Sequence, residues 1–221
     1  MELAAILLAK AMAFVEPVEL NPKGAVATSA IIKAIVTRYG FQGFPQKPED
    51  FDDTKGIAFT KGRFDGIDID ALTLFKFGIV LDTRTSTRDS KRLLEEAFQW
   101  SSKDLGFVYK PSMVDRWQYT SQLTFHSKVP LLGIHPAFQR LADALARSAE
   151  ELVGDKLKYD VTALQIDYDE LERKHPLGRF SIQRRENTPF SANKYYSDAP
   201  LHTDIHLKLL AEFEADNSRK A

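Results

Sequence analysis

Two stretches that alternate apolar and polar residues constrain the fold of this chain most strongly. Between residues 117 and 126 the polar positions are Gln118, Thr120, Gln122, Thr124 and His126, and the positions between them are mostly large and apolar. Residues 67–81 keep the same period of two. Side chains of a strand point alternately to its two faces, so both stretches predict strands, and the first has one polar face. Because residues 67–81 exceed the usual strand length of about 5–6 residues, we expect a bend near Gly78 or an earlier bulge.

Helices are predicted where apolar residues recur every three or four positions between start and stop signals. The signal Ser86-x-x-Asp89 predicts the start of one helix. The strongest helix begins at Pro136 and ends before Gly154. Its shared apolar face consists of Phe138, Leu141, Ala142, Leu145, Ala149 and Leu152. Further helices are predicted over about 29–39 and about 201–215. Residues 2–15 are rich in helix formers and predict a helix, with a buried strand as the alternative.

Helices and strands are interspersed along the whole chain. Two more strands are predicted near 157–168 and 179–185, joined by a turn region that contains Pro176. This order predicts an α+β fold, with helices packed on one face of a largely antiparallel sheet. We expect one domain over residues 1–221, with a flexible charged tail at about 216–221.

Composition excludes several kinds of chemistry. The chain of 221 residues has no cysteine, which excludes disulfides, thiolate metal sites and a cysteine nucleophile. Its net charge of −1 gives no overall attraction to nucleic acid or to an anionic membrane, and it does little to prevent self-association.

The apolar N-terminal run has no preceding basic region and is interrupted by Lys10, so it does not fit a secretory signal. We therefore expect a soluble, cytoplasmic protein that does not enter a membrane.

The segment "PLHTDIH", residues 200–206, is the first candidate for metal chemistry. His202 and His206 have the spacing of the two ligands in H-E-x-x-H, but Thr203 stands where that motif has its glutamate base. A third ligand, such as His175 or Glu186, could reach them only through tertiary folding. We interpret the segment as the start of a helix; His202 and His206 remain the candidate metal ligands, although no metal or other cofactor is favoured.

Catalytic candidates are few. Asp68 and Asp70 share one side of a predicted strand, as do Asp167 and Asp169, and paired carboxylates could hold a divalent metal. His126 on the polar strand face could act in acid–base chemistry. The chain contains no nucleophile elbow, no P-loop and no G-x-G-x-x-G. A metal-dependent hydrolase or nuclease is therefore the alternative, and a non-enzymatic role is favoured without being decided.

A nucleic-acid-binding module is the further alternative. Arg184 and Arg185 are followed by the aromatic residues Phe190, Tyr195 and Tyr196, and aromatics beside cations can stack bases and neutralise phosphates. Acidic residues nearby weaken this pattern, and no RNA-binding motif accompanies it.

The favoured hypothesis is a non-catalytic protein-binding or assembly component of a larger cytoplasmic complex. The strand face with Gln118, Thr120 and Gln122 is polar but uncharged, and the segment 188–201 with Tyr195 and Tyr196 has the composition of a contact surface. An ordinary ordered loop is an equally good interpretation of 188–201. The expected partner is another protein or a second copy of the chain.

Overall fold

The computed structural model describes residues 1–169 and 177–219. Eight strands form one sheet in the order β2-β3-β4-β1-β5-β8-β7-β6, and helices complete an α+β fold, which confirms the predicted class. The predicted turn residue Pro176, and His175, lie outside the described residues. The elements are β1 Glu2–Phe14, α1 Pro17–Leu20, α2 Thr28–Tyr39, β2 Ile57–Phe64, β3 Ile67–Phe75, β4 Gly78–Thr83, α3 Thr87–Asp104, β5 Arg116–His126, α4 Pro136–Val153, β6 Ala163–Ile166, β7 Phe180–Arg184, β8 Lys194–Ala199 and α5 Thr203–Ser218.

The chain divides into two compact units, each built from separate segments. The α3 unit consists of Ile6–Ser121 and Pro200–Asp204. The α4 unit consists of Met1–Ala5, Gln122–Ala199 and Ile205–Ala221. The prediction of a single domain stays a prediction.

The α3 unit has the chain order β-α-β-β-α-β of a split β-α-β fold, with β2 added at the sheet edge. Its strands β1 to β4 pair antiparallel, and α2 and α3 cover one face of them. The core under the helices contains Ile35, Tyr39, Phe59, Ile69, Leu72, Leu81, Leu93, Leu94 and Phe98. This unit therefore has the predicted arrangement of helices on one face.

The predicted N-terminal helix is wrong, because residues 2–14 form strand β1. Ala9, Ala11 and Ala13 are fully buried and alternate with more exposed residues, and the strand pairs with β4 from Ala9↔Thr83 to Ala13↔Ile79. The small alanines let α3 approach closely enough for Ser90 Oγ to donate a hydrogen bond of 2.7 Å to the Ala9 carbonyl. Pairing and burial thus outweigh the helix propensity of Ala, Leu and Lys.

The long predicted strand 67–81 is a hairpin, with a turn at Lys76 and Phe77 between β3 and β4. The bend predicted near Gly78 is this turn. A Cβ atom at Gly78 would lie 2.9 Å from the Ala13 carbonyl oxygen, so the close pairing of β4 with β1 requires glycine there. The register also shifts between Ile69 and Ala71, which is a bulge of the kind expected.

In the α4 unit, β6, β7 and β8 pair antiparallel. Residues 188–201 are interpreted equally well from sequence as an ordinary loop or as a contact surface, and neither interpretation includes a strand. In the structure Lys194–Ala199 forms strand β8, which lies between β5 and β7. Helix α5 buries His206, Leu210 and Glu214 and continues to Ser218, past its predicted end. The first residues of the predicted tail are therefore helical, and residues 220–221 lie outside the described part.

Candidate functional site

His202 precedes α5 and is a half-buried residue of the α3 unit. Its Nδ1 lies 3.1 Å from Thr87 Oγ1, and its ring lies 3.8 Å from the ring of Tyr119. Thr87 and Thr203 accept hydrogen bonds from each other's backbone N–H groups, at 3.1 and 3.0 Å, and so satisfy donors at the starts of both α3 and α5. His202 is thus held where two helices begin.

The charged groups around His202 are paired. Arg88 Nη2 lies 2.7 Å from Asp204 Oδ2, and Lys91 Nζ lies 2.9 Å from Glu95 Oε1. Burial lowers the pKa of His202, and the positive charge of Arg88 lowers it further. The hydrogen bond to Glu95 raises the pKa of Lys91. The neutral imidazole of His202 could accept a proton. Arg88 and Lys91 beside it each have a carboxylate partner, so they do not add an unpaired positive charge to the site.

His206 belongs to the α4 unit and is fully buried there. Its Nε2 lies 2.8 Å from Ser197 Oγ, whose hydroxyl donates to the Ser181 carbonyl at 2.7 Å, so Nε2–H is the donor to Ser197. Phe180 packs edge-on against the imidazole. Over residues 1–169 and 177–219, no three or more His, Asp or Glu side chains form a group that could hold a metal ion.

The carboxylate candidates lie in ion pairs. Asp68 Oδ1 is 3.5 Å from Arg63 Nε, and Asp70 Oδ2 is 2.7 Å from Arg84 Nε. The two aspartates flank the buried Ile69 in β3, and these pairs are largely exposed to solvent. Solvent-exposed pairs of this kind contribute little to stability and do not by themselves form a reaction site.

The remaining catalytic candidates belong to the α4 unit. His126 is the half-buried last residue of β5. Asp167 and Asp169 follow β6 instead of lying within a strand.

Arg184 is an internal residue of the α4 unit, although the sequence makes it a candidate for nucleic-acid binding. Its guanidinium donates to Asp160 Oδ2 at 2.7 Å and to the carbonyls of Val161 and Phe190 at 3.2 and 3.0 Å. These contacts direct the guanidinium inward. A phosphate could bind it only by displacing Asp160. Only Arg185 of the two arginines is exposed.

The predicted contact residues differ in exposure. Gln118 and Thr120 are half-buried in β5, and Gln122, also half-buried, donates to Asp198 Oδ2 at 3.4 Å. Tyr196 is half-buried, and burial raises its pKa. Tyr195, by contrast, has no exposed surface.

The burial of Tyr195 corrects its assignment to a contact surface. Its hydroxyl accepts a hydrogen bond of 3.0 Å from the Leu131 N–H, and its ring stacks on Phe125. The β8 position explains this, because alternate residues of an internal strand point into the core.

Helix α4 presents the surface feature that sequence reasoning missed. Its bounds, Pro136–Val153, agree with the prediction, and Gly154 closes it in the left-handed conformation. The large side chains of its apolar stripe are exposed: Phe138 by 53%, Leu141 by 58%, Leu145 by 48% and Leu152 by 86%. Among the residues of α4 only Ala142 is buried. The stripe itself was visible in the sequence, but an amphipathic pattern normally indicates the face turned to the core.

No protein family matches the chain, and no curated protein matches it significantly in sequence. Each helix within the described ranges is too short or too polar to cross a lipid bilayer.

Proposed function

We propose that this protein is a non-catalytic binding or assembly component that docks another protein on the exposed apolar face of α4. This α4 stripe is defined by Phe138, Leu141, Leu145 and Leu152. Its exposure is the single observation that carries the proposal. Membership in a larger complex and a cytoplasmic location belong to the same proposal, and a chain without cysteine is consistent with a reducing compartment.

The extent of the α4 stripe supports a specific interface. At about 200 Å² for each large apolar side chain, the exposed fractions correspond to roughly 500 Å² of apolar surface. The largest apolar patch on a typical monomer covers about 300–600 Å² and often marks a binding site. A partner that also covers the polar rim would approach the roughly 800 Å² that each side of a stable interface buries.

The spacing of the α4 stripe favours a helix as the docking element. Its members follow one another at intervals of three, four and seven residues, which is the pattern that packs against a second helix. The neighbouring side chains Ala144, Ser148 and Ala149 are small, so a partner helix could approach closely. The 18 residues of α4 offer a contact line of about 27 Å.

The charges of α4 favour a protein over a membrane surface as the partner. The helix carries Arg140 and Arg147 against Asp143, Glu150 and Glu151, all away from the stripe at helical spacing. Helices that lie on anionic membranes usually carry an excess of Lys and Arg on the polar face. Here acidic residues predominate, so attraction to an anionic lipid surface is not expected.

The test is a tagged pull-down from the native host that compares the wild type with Leu145→Glu. Glutamate is a good helix former, so the change places a charge in the stripe without breaking α4. Leu209→Glu is the matched control, because Leu209 is exposed by 42% on helix α5. We expect a stoichiometric partner with the wild type and the control, and its loss with Leu145→Glu. Retention of the partner by Leu145→Glu, or no partner with the wild type, would contradict the proposal.

A second copy is the other occupant that the experiment distinguishes. Phe138 and Leu152 each lie seven residues from Leu145, so two antiparallel copies of α4 would match Phe138 with Leu152. Light scattering on the purified protein separates the cases. A dimer that Leu145→Glu dissociates would identify self-association, and a monomer leaves the stripe for another protein.

A further inference from the structure

We propose that the α3 unit holds a binding site for a small uncharged apolar molecule, such as a monocyclic aromatic or a short hydrocarbon. The site is a cavity of about 180 Å³ between α2, α3 and the sheet. This inference does not depend on the function proposed for α4.

The walls of the cavity are mostly apolar. Side chains of α1, α2, β3, β4 and α3 contribute to them, among them Leu20, Ile35, Leu72, Ile79, Leu94 and Phe98. All six of these side chains are buried in the core. The residues that line the cavity all lie within the described part of the chain, and none of them carries a charge.

The polar side chains in the wall already have partners within the protein. The Tyr39 hydroxyl donates to Glu96 Oε2 at 2.8 Å, and the Ser101 hydroxyl donates to the Phe98 carbonyl at 2.9 Å. The Asn21 amide exchanges two hydrogen bonds with the backbone of Val26. A ligand that brought a charge into this space would lose its hydration without meeting an opposite charge, which selects against charged molecules.

Size narrows the class of ligand further. A cavity of about 150 Å³ lined by Leu, Ile and Phe side chains stays dry and binds benzene or xenon. The present cavity is slightly larger in volume and partly open to solvent, so a single ring fits it. The rings of Tyr39 and Trp100, 5.8 Å apart and nearly perpendicular, add edge-and-face surfaces that favour an aromatic guest.

The test is a titration with benzene, followed by the methyl NMR signals of isoleucines. Ile35 and Ile79 line the cavity, and Ile182, a more deeply buried isoleucine of the α4 unit, serves as the internal control. We expect saturable shifts at Ile35 and Ile79 and none at Ile182. Benzoate, which adds a carboxylate charge to the ring, should bind at least several-fold more weakly because no charged residue lines the cavity.

A variant that fills the cavity provides the second arm. Ala97 lines the space, so Ala97→Leu should weaken benzene binding at least tenfold, and Ala215→Leu on the exposed surface of α5 should leave it unchanged. The benzene titration of the wild type decides the proposal even where Ala97→Leu fails to fold. The proposal is overturned by the absence of a saturable response in the wild type, by equal shifts at Ile182, or by undiminished binding in a folded Ala97→Leu protein.

Discussion

Replacing Arg184 with alanine is expected to destabilise the α4 unit strongly. The side chains of Arg184 and Asp160 are only 8% and 16% exposed, and the guanidinium also satisfies the carbonyls of Val161 and Phe190. Deleting one member of a buried ion pair costs about 3–5 kcal/mol, because the other charge is left without a partner. Since this pair retains slight exposure, we expect Arg184→Ala to lower the free energy of unfolding by about 3 kcal/mol. That is a large share of the roughly 5–15 kcal/mol that stabilises a typical protein.

Urea denaturation monitored by far-ultraviolet circular dichroism measures this loss. Tryptophan fluorescence is unsuitable, because Trp100 and Trp117 both belong to the α3 unit. Arg185→Ala is the matched control, since the neighbouring arginine is exposed and its loss should change stability by no more than about 0.5 kcal/mol. Equal stabilities of the two variants would refute the internal role of Arg184, and oligonucleotide binding that only Arg184→Ala abolishes would restore the nucleic-acid hypothesis.

Two further predictions concern the α3 unit. Gly78→Ala should lower the free energy of unfolding by about 1–3 kcal/mol, because the added methyl group would press on the Ala13 carbonyl. The control in thermal denaturation is Gly133→Ala, where a Cβ atom meets nothing within 4 Å. Equal melting temperatures of the two variants would contradict the close-contact argument. The pKa of His202 is lowered by burial and by Arg88, so the unfolded chain binds this proton first as the pH falls. Its contribution to stability is therefore fully present above about pH 6.5 and lost as the pH falls through the lower folded-state pKa. Melting temperatures at pH 8 and pH 5 should differ less in His202→Gln than in the wild type, and an equal difference would exclude His202 as a source of acid sensitivity.

The bounds of several elements could be predicted because local signals define them. Helix α4 begins at Pro136 and ends before Gly154 as its sequence indicates, since proline suits a first turn and glycine accepts the left-handed closing conformation. Ser86 caps α3 by accepting a hydrogen bond from the Asp89 N–H. The alternation in β5 is likewise a property of consecutive residues.

Tertiary structure, by contrast, decided which faces are covered and which segments pair. Strand β1 formed because β4, far along the chain, pairs with residues Ala9–Ala13, and three alanines gave α3 room to pack. Tyr195 became a core residue once β8 took an internal place in the sheet.

The candidate site also depends partly on local sequence signals and partly on tertiary structure. The sequence by itself determined that α4 is an amphipathic helix, because periodicity and end signals act over a few residues. Only the tertiary structure decided that its apolar stripe is exposed, that Arg184 points inward, and that a cavity lies between α2, α3 and the sheet. Burial depends on segments that are distant in sequence, and a pattern within one helix cannot specify what the rest of the chain brings against it.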